Sequence, residues 1–235
     1  MNIKIKWFPR SWVQIIIDKK VLYIDPAYLP SYFKQYPHCT SKDDNGLPEV
    51  LPYADIILVT HAHRDHCKIE TIKQLSNEKT QIFAPKNCHK ILGSNYYEVE
   101  INQEYQVDLF TIKTTAAYNT ETGQSTRKVH KYSKCVGYII SFNNLNIYHA
   151  GDTDLIDEMS QLGTIDIAFL PIGGTFTMNI MEAIKATTMI NPNLVIPIHH
   201  LYQDPYVFKL QLETSTKHKA KIMEIGESVE ISIIV

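Results

Sequence analysis

The stretch Ile56-Ile57-Leu58-Val59-Thr60-His61-Ala62-His63-Arg64-Asp65-His66 runs from an unbroken apolar segment straight into three imidazoles and a carboxylate. An apolar run this short reads as a strand covered on both faces, as in a parallel sheet. Packing does not ask for the polar cluster after it, because histidine and aspartate are costly to bury without partners. Neutral imidazole and carboxylate are the ligand types that zinc and similar divalent ions take. The segment therefore reads as half of a metal site, placed where a strand ends.

Ligands for such a site must arrive from separate, rigid elements, and two further strand ends carry them. Tyr148-His149-Ala150-Gly151-Asp152-Thr153-Asp154 takes a strand into a glycine turn and an aspartate. Ile196-Pro197-Ile198-His199-His200 stops an apolar run on a histidine pair. Around these points the patterning alternates between strand and helix periods. Strands are predicted at 3–7, 12–17, 21–24, 55–59 and 81–84, with β patterning from 96 to 115. Two more, Cys135 to Phe142 and Asn146 to His149, join through the turn-forming pair Asn143-Asn144. Helices are predicted at 67–76, 87–92, 153–162, 178–190 and 206–214. Further strands are predicted at 165–170, 194–198, 221–225 and 229–235. Strands followed by strand–helix alternation predict sheets covered by helices.

With 235 residues, 44% hydrophobic and 20% charged, the chain is long enough to bury a core as one domain. A net charge of −2 with scattered lysines gives no footprint for nucleic acid or an anionic membrane. Apolar runs of about five residues fall far short of a bilayer span. The start of the sequence lacks the apolar length and small-residue cleavage site of a signal peptide. The expectation is a cytoplasmic protein acting on a small molecule, with no nucleic-acid or membrane partner and the oligomeric state open. Four cysteines (Cys39, Cys67, Cys88, Cys135) form no CxxC pair, which argues against disulfides or a thiolate zinc site. Cys67, beside His66, reads as a small buried residue. Residues 26–54 and 116–134 lack periodicity. The first, carrying Tyr28, Tyr32, Phe33 and Tyr36, reads as an ordered flap bordering a site.

Taken together, the H-x-H-x-D-H segment, the Gly151-Asp152-Thr153 turn and the late Ile196-Pro197-Ile198-His199 resemble the metallo-β-lactamase superfamily. The resemblance is closer to its UlaG-like branch of metal-dependent hydrolases. Ile24-Asp25-Pro26, Val136-Gly137-Tyr138, Pro171-Ile172-Gly173-Gly174 and Phe176-Thr177-Met178 extend it over nearly the whole chain. It implies an α/β (α+β) fold, a four-layer αββα sandwich formed as a single domain over 1–235, with two metal ions in a cleft at one edge of the sheets. It also implies a ligand set. His61 and His63 would hold the first ion, Asp65, His66 and His199 the second, and Asp152 would bridge them.

Many members of the family supply a third histidine to the first ion, but the matching place here reads Ala116-Ala117-Tyr118-Asn119. His130 or Asn119 would complete that site, the amide oxygen being the weaker donor for zinc. The cofactor is one or two divalent ions, zinc first, with manganese or iron as alternatives. His149 would orient Asp152 or pack, and His200 would face away from the ligands. His38, His89 and His218 read as solvated, and Asp18, Asp43 and Asp44 as turn residues.

A divalent ion lowers the pKa of water from 15.7 to about 7, so the resemblance implies hydrolysis, with Asp65 and Asp152 as the catalytic carboxylates. Asp65 would orient the water and take up a proton. No serine or cysteine nucleophile stands beside a base. The substrate class expected is a small anionic ester or lactone. A phosphodiesterase is the alternative, and a non-catalytic metal binder or a di-iron redox protein stands further off. Gly173-Gly174 and the helix start near Met178 would admit an anion, or form a plain strand-to-helix turn.

Overall fold

The computed structural model describes residues 2–34 and 46–232. Expectations for Tyr36, His38, Cys39, Asp43, Asp44 and the end of the last strand lie outside the described residues. Along the chain run β1 (Asn2–Trp7), β2 (Val13–Ile17), β3 (Lys20–Ile24), β4 (Ile56–Leu58), α1 (Ile69–Leu75), β5 (Gln81–Pro85), α2 (His89–Leu92) and β6 (Tyr97–Val99). Next come β7 (Glu104–Val107), β8 (Phe110–Ala116), β9 (Val136–Phe142), β10 (Leu145–His149), β11 (Ile167–Pro171), α3 (Ile180–Ile190), β12 (Leu194–Ile198), α4 (Pro205–Ser215) and β13 (Ser228–Ser232). They form a mixed α/β structure with two sheets and few helices. The chain divides into two compact units, Met1–Val99 with Met223–Val235, and Glu100–Ile222.

The first unit is built on a seven-stranded sheet in the order β13-β1-β2-β3-β4-β5-β6. Asp18 and Lys19, both left-handed (φ 48° and 66°), close the tight hairpin between β2 and β3. From β3 to β6 the pairing is parallel, with Ile24 beside Leu58, so β3 and β4 end side by side. α1 bridges β4 and β5 and turns Thr71, Ile72 and Leu75 inward. The core here is aromatic. Phe8 and Trp12 sit 4.5 Å apart, and Tyr28 and Phe33 4.8 Å apart. The stretch read as a flap is therefore partly core, since Tyr28 and Phe33 are buried while Tyr32 is half-buried. Their apolar area gains more from the cluster with Phe8 and Trp12 than from lining a surface.

The second unit carries a six-stranded sheet, β12-β11-β10-β9-β8-β7. β7 to β10 pair antiparallel, whereas β10, β11 and β12 are parallel. α3 begins where the sequence has a capping box. The Asn179 side chain accepts from Glu182 N and the Glu182 carboxylate reaches back to the cap. Its buried face, Ile180, Ala183, Ile184, Thr187 and Ile190, packs at helical spacing against a cluster with Leu170, Ile172 and Phe208.

Two expected elements differ. The helix expected over 153–162 is only a 3-10 turn at Asp157–Gln161, because Thr153 and Asp154 are held by bonds to Tyr118 and Thr120. The strand expected at 221–225 is replaced by a single bridge, Val195 to Ala220, with no ladder beyond it. Among the described residues no helix is long and apolar enough to cross a membrane.

Candidate metal centre

In the first unit the ligand-type residues 61–66 leave β4 at the level where β3 also ends. That parallel register puts Asp25 next to Thr60. The Asp25 carboxylate, fully buried, accepts three bonds: from Thr60 N (2.7 Å), from Thr60 Oγ1 (2.7 Å) and from His66 Nδ1 (2.7 Å). Asp25 itself is left-handed at φ 50°, a strained setting for a residue with a side chain. Because the carboxylate accepts, it fixes the His66 proton on Nδ1 and leaves Nε2 with the lone pair that a metal ion would take. Thr60 Oγ1 also lies 3.0 Å from His61 Nδ1. With the hydroxyl proton given to Asp25, the oxygen accepts from His61, so His61 Nε2 is the lone-pair nitrogen. That nitrogen faces His63 Nδ1 at 2.9 Å. The pairs His61–His63, His61–His66 and Asp65–His66 each offer ligand atoms within 4.8 Å. The turn is held by the His63 carbonyl, which accepts from His66 N and Cys67 N. Neither Asp25 nor Thr60 carries a functional signal in the sequence.

In the second unit the parallel strands do the equivalent work. β10, β11 and β12 end at one edge, so the turns after His149, Pro171 and Ile198 are neighbours, as in sheets that bind ligands beyond their carboxyl ends. Asp152 leaves a turn at Gly151 (φ 66°), and His199 is left-handed (φ 48°) directly after β12. His199 Nε2 lies 3.3 Å from Asp152 Oδ2, and His130 Nε2 lies 3.4 Å from the same oxygen, with all three side chains buried.

His130 reaches Asp152 through a loop closed on itself. Asn119 N donates to His130 O, and Asn119 Oδ1 accepts from His130 N (2.9 Å) and Val129 N (3.0 Å). Asn119 Nδ2 donates to Phe176 O (2.8 Å), the carbonyl that also takes His130 Nδ1 (3.1 Å). The loop is tied further by Asp154, which accepts from Thr120 N (2.9 Å) and Lys128 Nζ (2.9 Å). Glu182 accepts from Gln124 N (2.9 Å), and burial pushes its carboxyl above the ordinary range. The amide of Asn119 is thus spent on holding His130.

These atoms suit a divalent ion. Ligand atoms about 2.0–2.1 Å from one tetrahedral ion lie about 3.3–3.4 Å from each other, the spacing found around Asp152 Oδ2. With His130 Nδ1 donating to Phe176 O, its Nε2 meets the carboxylate oxygen as a lone pair. A proton or a cation is what holds two such acceptors together.

Comparisons with known proteins identify the family. A family model described as β-lactamase superfamily domain matches residues 4–199. The chain belongs to the metallo-β-lactamase superfamily. Among relatives of this superfamily, a UPF0173 metal-dependent hydrolase of Shouchella clausii is 30% identical, aligning over 97% of this chain and 100% of the relative. A solved structure from Parabacteroides distasonis, described as a metal-dependent hydrolase, is similar at TM-score 0.80 and 30% identity, covering 95% of this chain and 93% of that one. Igni18, a metallo hydrolase of Ignicoccus hospitalis, is similar at TM-score 0.75 and 25% identity, covering both chains completely. The fold is that of the metallo-β-lactamases, and the chain is a metal-dependent hydrolase of that superfamily.

The remaining sequence candidates have plain settings. His149 is buried, its Nδ1 accepting from Gly151 N (3.2 Å), and so supports the turn to Asp152. His200 Nε2 bonds to Pro197 O (2.8 Å). His218, read as solvated, is buried with Nδ1 3.3 Å from Pro192 O. Cys67 is buried and carries a free thiol. Gly173 is approached by this chain's own backbone, since a Cβ there would lie 2.6 Å from His199 O. The helix start expected to admit an anion is occupied by its capping box, with Glu182 N given to Asn179 Oδ1 (2.9 Å).

Proposed function

We propose that this chain hydrolyses a small anionic ester or lactone, as one domain spanning 1–235 and in the manner of the UlaG-like branch. The proposed ligands are His61, His63 and His130 for a first ion, Asp65, His66 and His199 for a second, and Asp152 for both, with zinc as the metal. The observation that carries the reading is Asp152 Oδ2 lying 3.3 Å from His199 Nε2 and 3.4 Å from His130 Nε2.

When bound, the metal supplies Lewis acidity and lowers the pKa of water to about 7. The residues of the chain supply orientation and proton handling. Asp25 keeps His66 in one tautomer and, through Thr60, does the same for His61. Asp65, half-buried at the end of the motif, orients the attacking water and takes up its proton for delivery to the leaving oxygen.

The test is turnover by metal-replete protein of a lactone and 4-nitrophenyl ester panel beside bis-4-nitrophenyl phosphate. Lactone or ester turnover that stops on chelation and returns with zinc is expected. Turnover of the diester alone would replace the esterase reading by a phosphodiesterase, and no turnover of either would leave the non-catalytic binder standing.

A further inference from the structure

We propose that Arg10 is the group that recognises the substrate's anion, taking a carboxylate or phosphate oxyanion carried beside the bond that is cleaved. The proposal deepens the reading above by naming the residue behind the anionic preference.

Arg10 lies in the connection between β1 and β2, outside any ladder, with a left-handed backbone (φ 67°) that residues other than glycine rarely take. Trp7 Nε1 donates to its carbonyl (3.2 Å), which fixes the connection against the buried aromatic core. Its guanidinium carbon sits 4.1 Å from the centre of the Tyr32 ring, within cation–π range, so the side chain rests on a platform. The side chain is 19% exposed, and Nε lies 3.9 Å from Asp65 Oδ2, inside the ligand motif. A charge has therefore been brought to the edge of the hydrolytic residues at a cost in backbone strain.

The contact with Asp65 does not use up that charge. At 3.9 Å it is too long for a hydrogen bond, whereas an arginine placed to hold a carboxylate makes a bidentate pair at about 2.7–2.9 Å. Nε is buried and has no hydrogen-bond partner among the described residues. A guanidinium offers five donors in a planar fork whose shape matches a carboxylate or a phosphate. The cation–π contact with the Tyr32 ring takes up no hydrogen-bond acceptor, so the donors of the fork are not spent on it. Arg10 thus has the placement, the rigidity and the open donors of a recognition group.

The experiment compares wild type, Arg10→Gln and Arg10→Lys, each with its metal. Two esters are used, mono-4-nitrophenyl glutarate, which carries a distal carboxylate, and 4-nitrophenyl acetate, which does not. Binding of glutarate and of inorganic phosphate is measured by calorimetry. Wild type is expected to prefer the glutarate ester in kcat/KM. Arg10→Gln should lower that preference at least tenfold, chiefly through KM, and weaken binding of the better anion at least tenfold, with Arg10→Lys intermediate. The stronger of the two anions tells a carboxylate from a phosphate substrate.

If Arg10→Gln slows both esters by one factor and leaves anion binding alone, Arg10 only positions Asp65 and the proposal fails. It fails equally if wild type binds neither anion. Should neither ester be turned over while Arg10→Gln still weakens anion binding, the ester reading falls and Arg10 stands. Should Arg10→Gln not fold, equal selectivity and anion binding in wild type and Arg10→Lys would count against the proposal, because a lysine cannot reproduce the fork.

Discussion

The two units hold their ligand-type residues in opposite ways. In the first, the chain itself keeps His61, His63, Asp65 and His66 close, and one buried carboxylate, Asp25, orders the rings through three short bonds. In the second, His130, Asp152 and His199 come from distant parts of the sequence. Parallel strand register places two of them, and a loop tied by Asn119, Asp154 and Glu182 delivers the third. A contiguous motif needs a single clamp, because chain connectivity has already restricted its geometry. A dispersed one needs many weak ties, each worth about 1 kcal/mol. Damage should therefore be abrupt in the first arrangement and graded in the second.

The largest effect is expected at the point on which the second unit's rings converge. Asp152→Ala removes the oxygen facing both His130 and His199, and should lower the rate by about a thousandfold or more together with metal content. Elemental analysis beside kinetics checks this, and full metal with full rate would refute the ligand assignment.

Asp25→Asn tests the single clamp. An amide cannot accept from Thr60 N and also from both Thr60 Oγ1 and His66 Nδ1, so His66 is driven to the wrong tautomer. Metal affinity should fall about 10–100-fold, measured by competition with a chromophoric chelator; an unchanged affinity would show that Asp25 serves the fold alone.

His130→Ala and Asn119→Ala sharpen the contrast within the second unit. Loss of the imidazole should cost about one ion per chain. Loss of the amide should keep the stoichiometry, weaken affinity by about tenfold and speed proteolytic cleavage between 119 and 130. Equal stoichiometry in wild type and His130→Ala would remove His130 from the ligand set.

The smallest effect is expected at Glu182. Burial raises its folded pKa above the unfolded value, so its charge costs stability that is present at low pH and lost as pH rises through the folded pKa. Glu182→Gln can keep the bond from Gln124 N but not also the one from Asn179 N, and it should flatten that decline. A smaller fall in Tm between pH 4 and pH 7 than in wild type is the signature in thermal melts.

Much of this was legible because chemistry and strand ends coincide in the sequence. The apolar run before His61 and the glycine turn before Asp152 mark both the strand and the ligand-type residues at its end. Asp25 was not legible. Ile24-Asp25-Pro26 enters the sequence reading only as part of the family resemblance, and the role of Asp25 emerges only when β3 and β4 align in parallel. Arg10 gave no periodic or motif signal, since it matters through Tyr32 and Asp65, far along the chain. The choice between His130 and Asn119 stayed open in the sequence because proximity to Asp152 depends on loop closure. The structure sets the His130 ring beside Asp152 and uses the Asn119 amide to hold the loop. The helix expected over 153–162 shrank to a single 3-10 turn because Thr153 and Asp154 bond to the 118–120 segment instead.

Gly173 sets a boundary for anyone redesigning this molecule. A single added methyl there would press on the carbonyl of His199 and swing the imidazole off its station, so the glycine guards a clearance of atomic width. Retuning selectivity by mutagenesis has little room at 173 and more at the Arg10–Tyr32 contact, which is made between side chains and not against the backbone.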